Sequence, residues 1–260
     1  MFKIVLSLLF SLLLSLKVYA GDIIVYAAAD LVYAFKEIQQ LYKKVYPQDD
    51  VKIIFGSSGK GYHQILEGAP YDMIFSADMG YVEKLQEKGL TISKPKPYAI
   101  GRIVLWVRKD SNIPLNDGIN AILNQRVKKI GIANWEHAPY GVAAKQCLDN
   151  FKLFDKVKDK LVLGENISQT AQYVQTGAAD IGFLALSIAN SDPLTKEGIY
   201  YLIPESCHSQ ILQGYVITKN AVKSEDRLST ARRFEEFIST PAIRKVFIKY
   251  GFMLPGEKVE

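Results

Sequence analysis

Two junctions between a strand pattern and a helix pattern constrain the fold of this chain more than any other feature. In each, a β-branched apolar run ends in small or hydroxylated residues and a helical pattern begins at once: residues 23–26 lead into 27–31, and residues 51–55 lead into 56–61. A helix that starts where a strand ends leaves several backbone N–H groups unpaired at the positive end of the helix dipole. Such a junction favours anion binding. If the two strands are neighbours in one sheet, both junctions face the same crevice.

Strand and helix patterns alternate along the whole chain. A helical stripe over 31–45 is followed by a strand pattern at 51–55, a short helix and a buried strand at 73–76. After the break at 94–97, the apolar run 100–107 predicts one longer strand. This alternation is typical of an α/β fold with mostly parallel sheets flanked by helices.

Two breaks in this pattern, at 94–97 and at 204–214, indicate that the fold has two lobes. The segment 204–214 precedes a last strand pattern at 215–218, and only helical patterns follow it. We therefore predict lobe 1 from residues 21–100 plus 211–260 and lobe 2 from residues 101–210. The two crossings form a double hinge, and the cleft between the lobes is the natural ligand site.

The first 20 residues have the pattern of a secretory signal peptide. Lys3 precedes an apolar stretch at 4–16, and residues 18–20 read as a small-residue cleavage site. The apolar stretch is shorter than the roughly 20 residues of a membrane-spanning helix. No cysteine stands at the cleavage point to carry a lipid. We predict an exported, soluble, periplasmic protein without a lipid anchor that begins at Gly21.

Charge and cysteine content narrow the function classes. The formal net charge is +5 over 260 residues and falls to +3 without Lys3 and Lys17, which is too mild to indicate nucleic-acid binding. Cys147 and Cys207 are the two cysteines. A disulfide between them and two separate thiols both remain open, because the sequence does not place them within bonding distance.

The glycine- and serine-rich segment 56–61 matches neither of two enzyme motifs that it superficially suggests. It lacks the G-x-x-x-x-G-K-[ST] spacing of a phosphate loop, and Lys60 stands where G-x-S-x-G needs its last glycine. The three histidines do not have metal-ligand spacing, so we predict no metal-ion site and no cofactor. They are His63, His137 and His208.

Two more anchors for an anion are predicted in lobe 2. The strand pattern 129–133 runs through Pro139 into a helix, and proline suits the first turn of a helix. The N–H groups of Tyr140 and Gly141 would then face the cleft. Ile167, at the start of the helix after Asn166, offers a fourth anchor. For Ser57 and Ser58 the alternative is a plain N-cap, and we favour anion binding.

Six segments of the chain, taken in order, resemble the successive signatures of one protein family. The segments are 27–31, 55–58, 67–78, 139–141, 203–205 and 247–252, of which EGAPYDMIFSAD at 67–78 is the most specific. They are similar to those of the periplasmic molybdate-binding proteins, the substrate-capturing components of molybdate ABC importers. The resemblance implies a two-lobed type II periplasmic-binding fold that holds tetrahedral molybdate or tungstate with uncharged donors.

The resemblance also implies a ligand set. By position, Ser58 matches the family's hydroxyl ligand, and Tyr140 and Ile167 match its backbone N–H ligands. Asp30 stands where many members have serine, and Ala185 where some have a ligand tyrosine. Either the Asp30 side chain caps its own helix while its N–H binds the anion, or the ligand carries a proton that the carboxylate accepts; we favour capping. Secondary candidates are Ala29, Ser57 and Gly141.

We therefore predict a monomeric, non-enzymatic solute-binding protein. It would capture molybdate, and also tungstate, and deliver the ion to a cognate permease in the inner membrane. One alternative is a carrier for another tetrahedral oxyanion, hydrogen phosphate or sulfate. The other is a secreted serine hydrolase that uses Ser58 with His63.

Overall fold

The computed structural model describes residues 21–256, and the predicted signal peptide at 1–20 lies outside them. Two five-stranded sheets organise the described part of the chain. The strands are β1 (Asp22–Ala28), β2 (Asp50–Gly56), β3 (Met73–Ser76), β4 (Lys96–Gly101), β5 (Ile103–Arg108), β6 (Ile130–Ala133), β7 (Leu161–Gly164), β8 (Ile181–Ala185), β9 (Gly198–Leu202) and β10 (Ile211–Ile217).

Helices connect most of these strands and flank the two sheets. The α-helices are α1 (Val32–Val45), α2 (Ser58–Leu66), α3 (Met79–Glu87), α4 (Pro139–Asn150), α5 (Phe154–Val157), α6 (Ile167–Gln175), α7 (Leu186–Ala189), α8 (Asp192–Glu197), α9 (Glu225–Ile238) and α10 (Pro241–Lys249). Short 3-10 helices include Ala29–Leu31, between β1 and α1, and Glu205–Cys207, between β9 and β10. No helix in the range 21–256 is both long and apolar enough to cross a membrane.

The two sheets have the same topology. The strand order is β2-β1-β3-β10-β4 in sheet 1 and β7-β6-β8-β5-β9 in sheet 2. In each sheet the three strands listed first are parallel, and the fourth runs antiparallel to both of its neighbours. Four of the five strands therefore share one direction. The predicted α/β fold with two lobes and mostly parallel sheets is confirmed.

The crossing between the sheets corrects one predicted element. The apolar run 100–107 is not one strand, because β4 ends at Gly101 in sheet 1 and β5 begins at Ile103 in sheet 2. Arg102 lies between them and forms an ion pair with Glu205 of the return crossing, with 3.1 Å between Nε and Oε1. A continuous apolar run can thus serve two sheets.

Each lobe buries its own apolar core. In lobe 1, aromatic rings of α1, β3 and α9 pack edge to face, with Phe35 5.0 Å from Phe75 and 6.3 Å from Phe234 between ring centroids. In lobe 2, Trp106 of β5 is the largest fully buried side chain. These rigid cores hold the strand ends and helix starts that line the space between the lobes.

Candidate functional site

A small cavity lies between the two lobes, at the starts of four helical segments. Sheet 1 contributes the ends of β1, β2 and β3, and lobe 2 contributes the starts of α4 and α6. The volume of the cavity is about 10 Å³, so it admits one small group and not a nucleotide or a sugar. Its lining residues are Ala28, Ala29, Asp30, Gly56, Ser57, Ser58, Ala77, Ala138, Pro139, Tyr140, Asn166 and Ile167.

Ser58 brings two hydrogen-bond donors to this cavity. It is the first residue of α2, and its side chain is fully buried. Its Oγ accepts a hydrogen bond from the backbone N–H of Ala77 at 2.8 Å. The hydroxyl hydrogen therefore remains available for donation. The backbone N–H of Ser58 also has no partner among residues 21–256.

The simple capping interpretation of the two serines is wrong. Ser57 occupies the N-cap position of α2, but its side chain accepts no hydrogen bond from the first turn of the helix. Its Oγ lies instead 2.8 Å from Nδ1 of His137, across the cleft. Since Ser58 Oγ is bonded to Ala77, neither hydroxyl caps the helix.

The start of α4 supplies a third N–H group. Pro139 has no N–H, and the N–H of Tyr140 is not hydrogen-bonded within the described part of the chain. The N–H of Gly141 donates to the carbonyl of Ala138 at 2.9 Å, and Gly141 does not line the cavity. Its secondary candidacy as a ligand residue is therefore wrong. Gly141 serves packing instead, because a Cβ there would lie 2.1 Å from the carbonyl oxygen of Ala133.

The start of α6 has the same form. Asn166 is the N-cap, and its side chain accepts a hydrogen bond from the N–H of Gln169 at 3.0 Å. This cap satisfies the third N–H of the helix and leaves the N–H of Ile167 unpaired within the described chain. Ala29 lines the opposite wall as the first residue of the 3-10 helix after β1.

Asp30 is the only charged residue among those that line the cavity. Its side chain does not cap a helix. Neither the 3-10 helix Ala29–Leu31 nor α1 has a side-chain cap. The Asp30 side chain is buried, and its Oδ2 accepts hydrogen bonds from the hydroxyl of Tyr140 at 2.8 Å and from Nε2 of Gln213 at 2.7 Å. Our preferred prediction for this side chain, helix capping, is therefore wrong.

Burial raises the pKa of the Asp30 carboxyl from 3.8 to about 6, although the hydrogen bonds from Gln213 and Tyr140 lower it in part. A raised carboxyl pKa stabilises the fold only while the group is protonated. That contribution is complete below about pH 4 and is lost as the pH rises through about 6. At neutral pH the ionised Asp30 therefore costs stability.

Sequence reasoning missed two residues that surround Asp30. Gln213 of β10 is fully buried, and its Nε2 also lies 3.0 Å from the hydroxyl oxygen of Tyr140. Tyr98 of β4 donates its hydroxyl to Oε1 of Gln213 at 2.5 Å. Burial and the nearby Asp30 carboxylate hold the pKa of both tyrosines well above 10. One hydrogen-bond network of uncharged donors thus surrounds the Asp30 carboxyl. We call it the Asp30 network; it consists of Tyr98, Gln213, Asp30 and Tyr140.

Further contacts hold the lobes together around the cavity. The carbonyl of His137 accepts a hydrogen bond from the N–H of Gly59 at 3.0 Å. At the rim, Lys60 forms an ion pair with Glu165 at 2.5 Å. Ser187 Oγ of α7 donates to the backbone carbonyl of Asp30 at 2.8 Å. Because each contact joins lobe 1 to lobe 2, this arrangement is a closed one.

The chemistry of the cavity is hydrogen-bond donation without cationic side chains. None of its lining residues is Lys, Arg or His. Within residues 21–256 no three His, Cys, Asp or Glu side chains are grouped to hold a metal ion. His63 is exposed on α2 and has no hydrogen bond to Ser58. The pair on which the hydrolase alternative depends is not formed.

Comparison with known proteins places nearly the whole chain in one protein family. Residues 23–253 match the family model described as bacterial extracellular solute-binding protein. The molybdate-binding protein ModA of Azotobacter vinelandii is 33% identical over 93% of this chain and 94% of its own length, and ModA of Rhodobacter capsulatus is 31% identical over 92% and 91%. The solved periplasmic molybdate-binding protein of A. vinelandii superimposes with a TM-score of 0.81 at 30% identity, covering 90% of this chain and 99% of that one.

Solved structures with lower sequence identity resemble this chain in fold, and that resemblance concerns the fold alone. The sulfate-binding protein SubI of Mycobacterium tuberculosis is 14% identical, with a TM-score of 0.71 over 91% of this chain and 88% of its own. The family match and the two relatives above 30% identity carry the assignment. The chain belongs to the bacterial extracellular solute-binding protein family and is a homologue of the molybdate-binding proteins ModA.

Proposed function

We propose that this protein captures molybdate, and also tungstate, and delivers the ion to an ABC permease. The observation that carries the proposal is the cavity between the lobes, where the N–H groups of Ser58, Tyr140 and Ile167 and the hydroxyl of Ser58 are free donors. Its homologues named molybdate-binding proteins support the same ligand class. In this proposal Asp30, Ser58, Tyr140 and Ile167 are the primary ligand residues, and Ala29 and Ser57 are secondary.

Uncharged donors suit an oxyanion that must be released again. Backbone N–H groups at helix starts add the positive end of the dipole without adding a mobile counter-charge. Fixed donors also select by size, because a cavity set for longer bonds between the central atom and oxygen fits sulfate poorly although its charge is equal. The rigid cores behind each strand end keep the donors in place.

The same proposal defines the setting in which the protein works. It acts in the periplasm as a monomer, without a cofactor and without chemistry on its ligand. The closed arrangement of the two lobes favours a carrier, since a ligand between them is covered on both sides. The cognate permease would receive the ion when the lobes separate.

Thermal unfolding tests the proposed ligand. Molybdate and tungstate at a hundredfold excess over Kd are expected to stabilise the protein by about 2.7 kcal/mol, which corresponds to a rise in Tm of roughly 5–10 °C for a chain of this size. Sulfate and phosphate at equal concentration are expected to change the Tm little. Equal shifts with sulfate or phosphate would contradict the assignment and favour a carrier for that oxyanion.

Replacement of one hydroxyl tests the proposed site. Ser58→Ala is expected to weaken molybdate binding by about 1.5–3 kcal/mol, the range for a hydrogen bond to a charged group. Ser93→Ala is the matched control, because the Ser93 hydroxyl also accepts a backbone N–H, from Ile217 at 2.9 Å, but does not line the cavity. Calorimetric titration should show unchanged affinity for the control. Equal affinity of both variants and the wild type would remove Ser58 from the site.

A further inference from the structure

The two oxygens of the Asp30 carboxyl have different surroundings. Oδ2 accepts hydrogen bonds from Tyr140 and Gln213. Oδ1 is buried and has no hydrogen-bond partner among the described residues, although the backbone N–H groups of Asp30 and Leu31 lower the pKa of the carboxyl. Since Asp30 lines the cavity and Oδ2 is occupied, Oδ1 is the oxygen left to meet a ligand. This asymmetry is that of a carboxylic acid, in which the carbonyl oxygen accepts two hydrogen bonds and the hydroxyl oxygen carries a proton.

The charge around Asp30 favours the same protonation state. A bound dianion would lie beside the carboxylate in a cavity without Lys, Arg or His in its lining, and a like charge at short range disfavours ionisation. Before any ligand binds, burial already raises the pKa of Asp30 to about 6, although its hydrogen bonds lower it in part. Ionised, Asp30 would repel the ligand and offer it only acceptors, whereas protonated it adds one more uncharged donor.

The other titratable groups near Asp30 are two tyrosines and, across the cavity, a histidine. Tyr140 from α4 and Tyr98 from β4 belong to the Asp30 network, and their pKa values lie well above 10, so both stay neutral. From α7, Ser187 contacts only the Asp30 backbone. Across the cavity, Nδ1 of His137 lies 2.8 Å from Oγ of Ser57. At the rim, Lys60 and Glu165 are paired with each other.

We propose that Asp30 is protonated in the complex and donates its Oδ1–H to the bound oxyanion, so that capture of each dianion takes up one proton from the solvent. This inference rests on the proposed function, the binding of an oxyanion in this cavity. No proton is transferred to the ligand, which keeps its full negative charge. The carboxyl thereby takes the place of a serine hydroxyl as a donor.

Calorimetric titration with molybdate between pH 6 and 8.5, in pairs of buffers with different heats of ionisation, tests the inference. The wild type is expected to take up close to one proton per ion at pH 8, and its Kd should weaken by about tenfold per pH unit above the pKa of the free protein. In Asp30→Asn an amide donor replaces the acid hydrogen. That variant should take up no proton, bind with a Kd independent of pH, and bind more tightly than the wild type at pH 8.

A second variant separates the contribution of Asp30 from that of His137. His137→Gln is expected to keep the proton uptake and the pH slope of the wild type, whatever its affinity. Loss of the slope in this variant would place the proton on His137 and overturn the inference. Wild-type binding without proton uptake would overturn it too, as would weak binding by Asp30→Asn together with a preference of the wild type for hydrogen phosphate. Absence of molybdate binding in every variant and at every pH would instead overturn the proposed function.

Discussion

Loss of the disulfide between Cys147 and Cys207 is expected to lower the free energy of unfolding by about 4 kcal/mol. The bond closes a loop of 60 residues between α4 and the 3-10 helix Glu205–Cys207, with 4.7 Å between the two Cα atoms. Cross-linking a loop of that length removes about 4 kcal/mol of chain entropy from the unfolded state. The structure thus decides between the two alternatives that the sequence left open for these cysteines.

Denaturant unfolding of the oxidised wild type and of the double variant Cys147→Ser/Cys207→Ser measures the effect. The variant should still fold, because other bonds hold the same segment: Asn150 Nδ2 donates to the carbonyl of Cys207 at 2.7 Å, and Gln146 Oε1 accepts from Ser209 N–H at 2.9 Å. A reducing agent should destabilise the wild type alone and leave the variant unchanged, which is the control. A difference below about 1 kcal/mol would show that the reduced, unfolded chain already retains this contact.

The fold was predictable because its signals are local. Apolar periodicity along α1 and the β-branched runs of β1 and β2 fix each element from a few neighbouring residues. The passage between the sheets was not predictable in detail. Arg102 interrupts an apolar run by one residue, and only the separate pairing of β4 with β10 and of β5 with β8 shows that the chain changes sheets there.

The candidate site divides in the same way. The N–H groups of Ser58, Tyr140 and Ile167 follow from helix starts, so their placement around one cavity could be inferred from junctions between elements. The surroundings of Asp30 could not, because Tyr140 is 110 residues away in sequence and Gln213 is 183. One signal was available: Gln213 is a lone amide in the apolar strand Ile211–Ile217, and a buried amide needs partners.

Replacement of Gln213 by leucine is expected to destabilise the protein by about 3 kcal/mol at pH 8. The substitution removes one of two donors to the buried Asp30 carboxylate and the acceptor of the Tyr98 hydroxyl, and a buried charge without its partners carries a large desolvation cost. The loss should shrink as the pH falls through about 6, since a protonated Asp30 needs less compensation. Denaturant unfolding at pH 8 and pH 5 gives both values.

Asn220→Leu is the matched control for a role of Gln213 in binding. Asn220 Nδ2 donates to the buried carboxylate of Asp72 at 2.7 Å, but this pair lies within lobe 1 and away from the cavity. Both variants should lose stability. Only Gln213→Leu should also weaken molybdate binding and enlarge the radius of gyration of the ligand-bound protein, because Gln213 and Asp30 of lobe 1 hold Tyr140 of lobe 2 in the closed arrangement. If both variants bind molybdate as the wild type does, the Asp30 network supports the fold and has no part in closing the lobes.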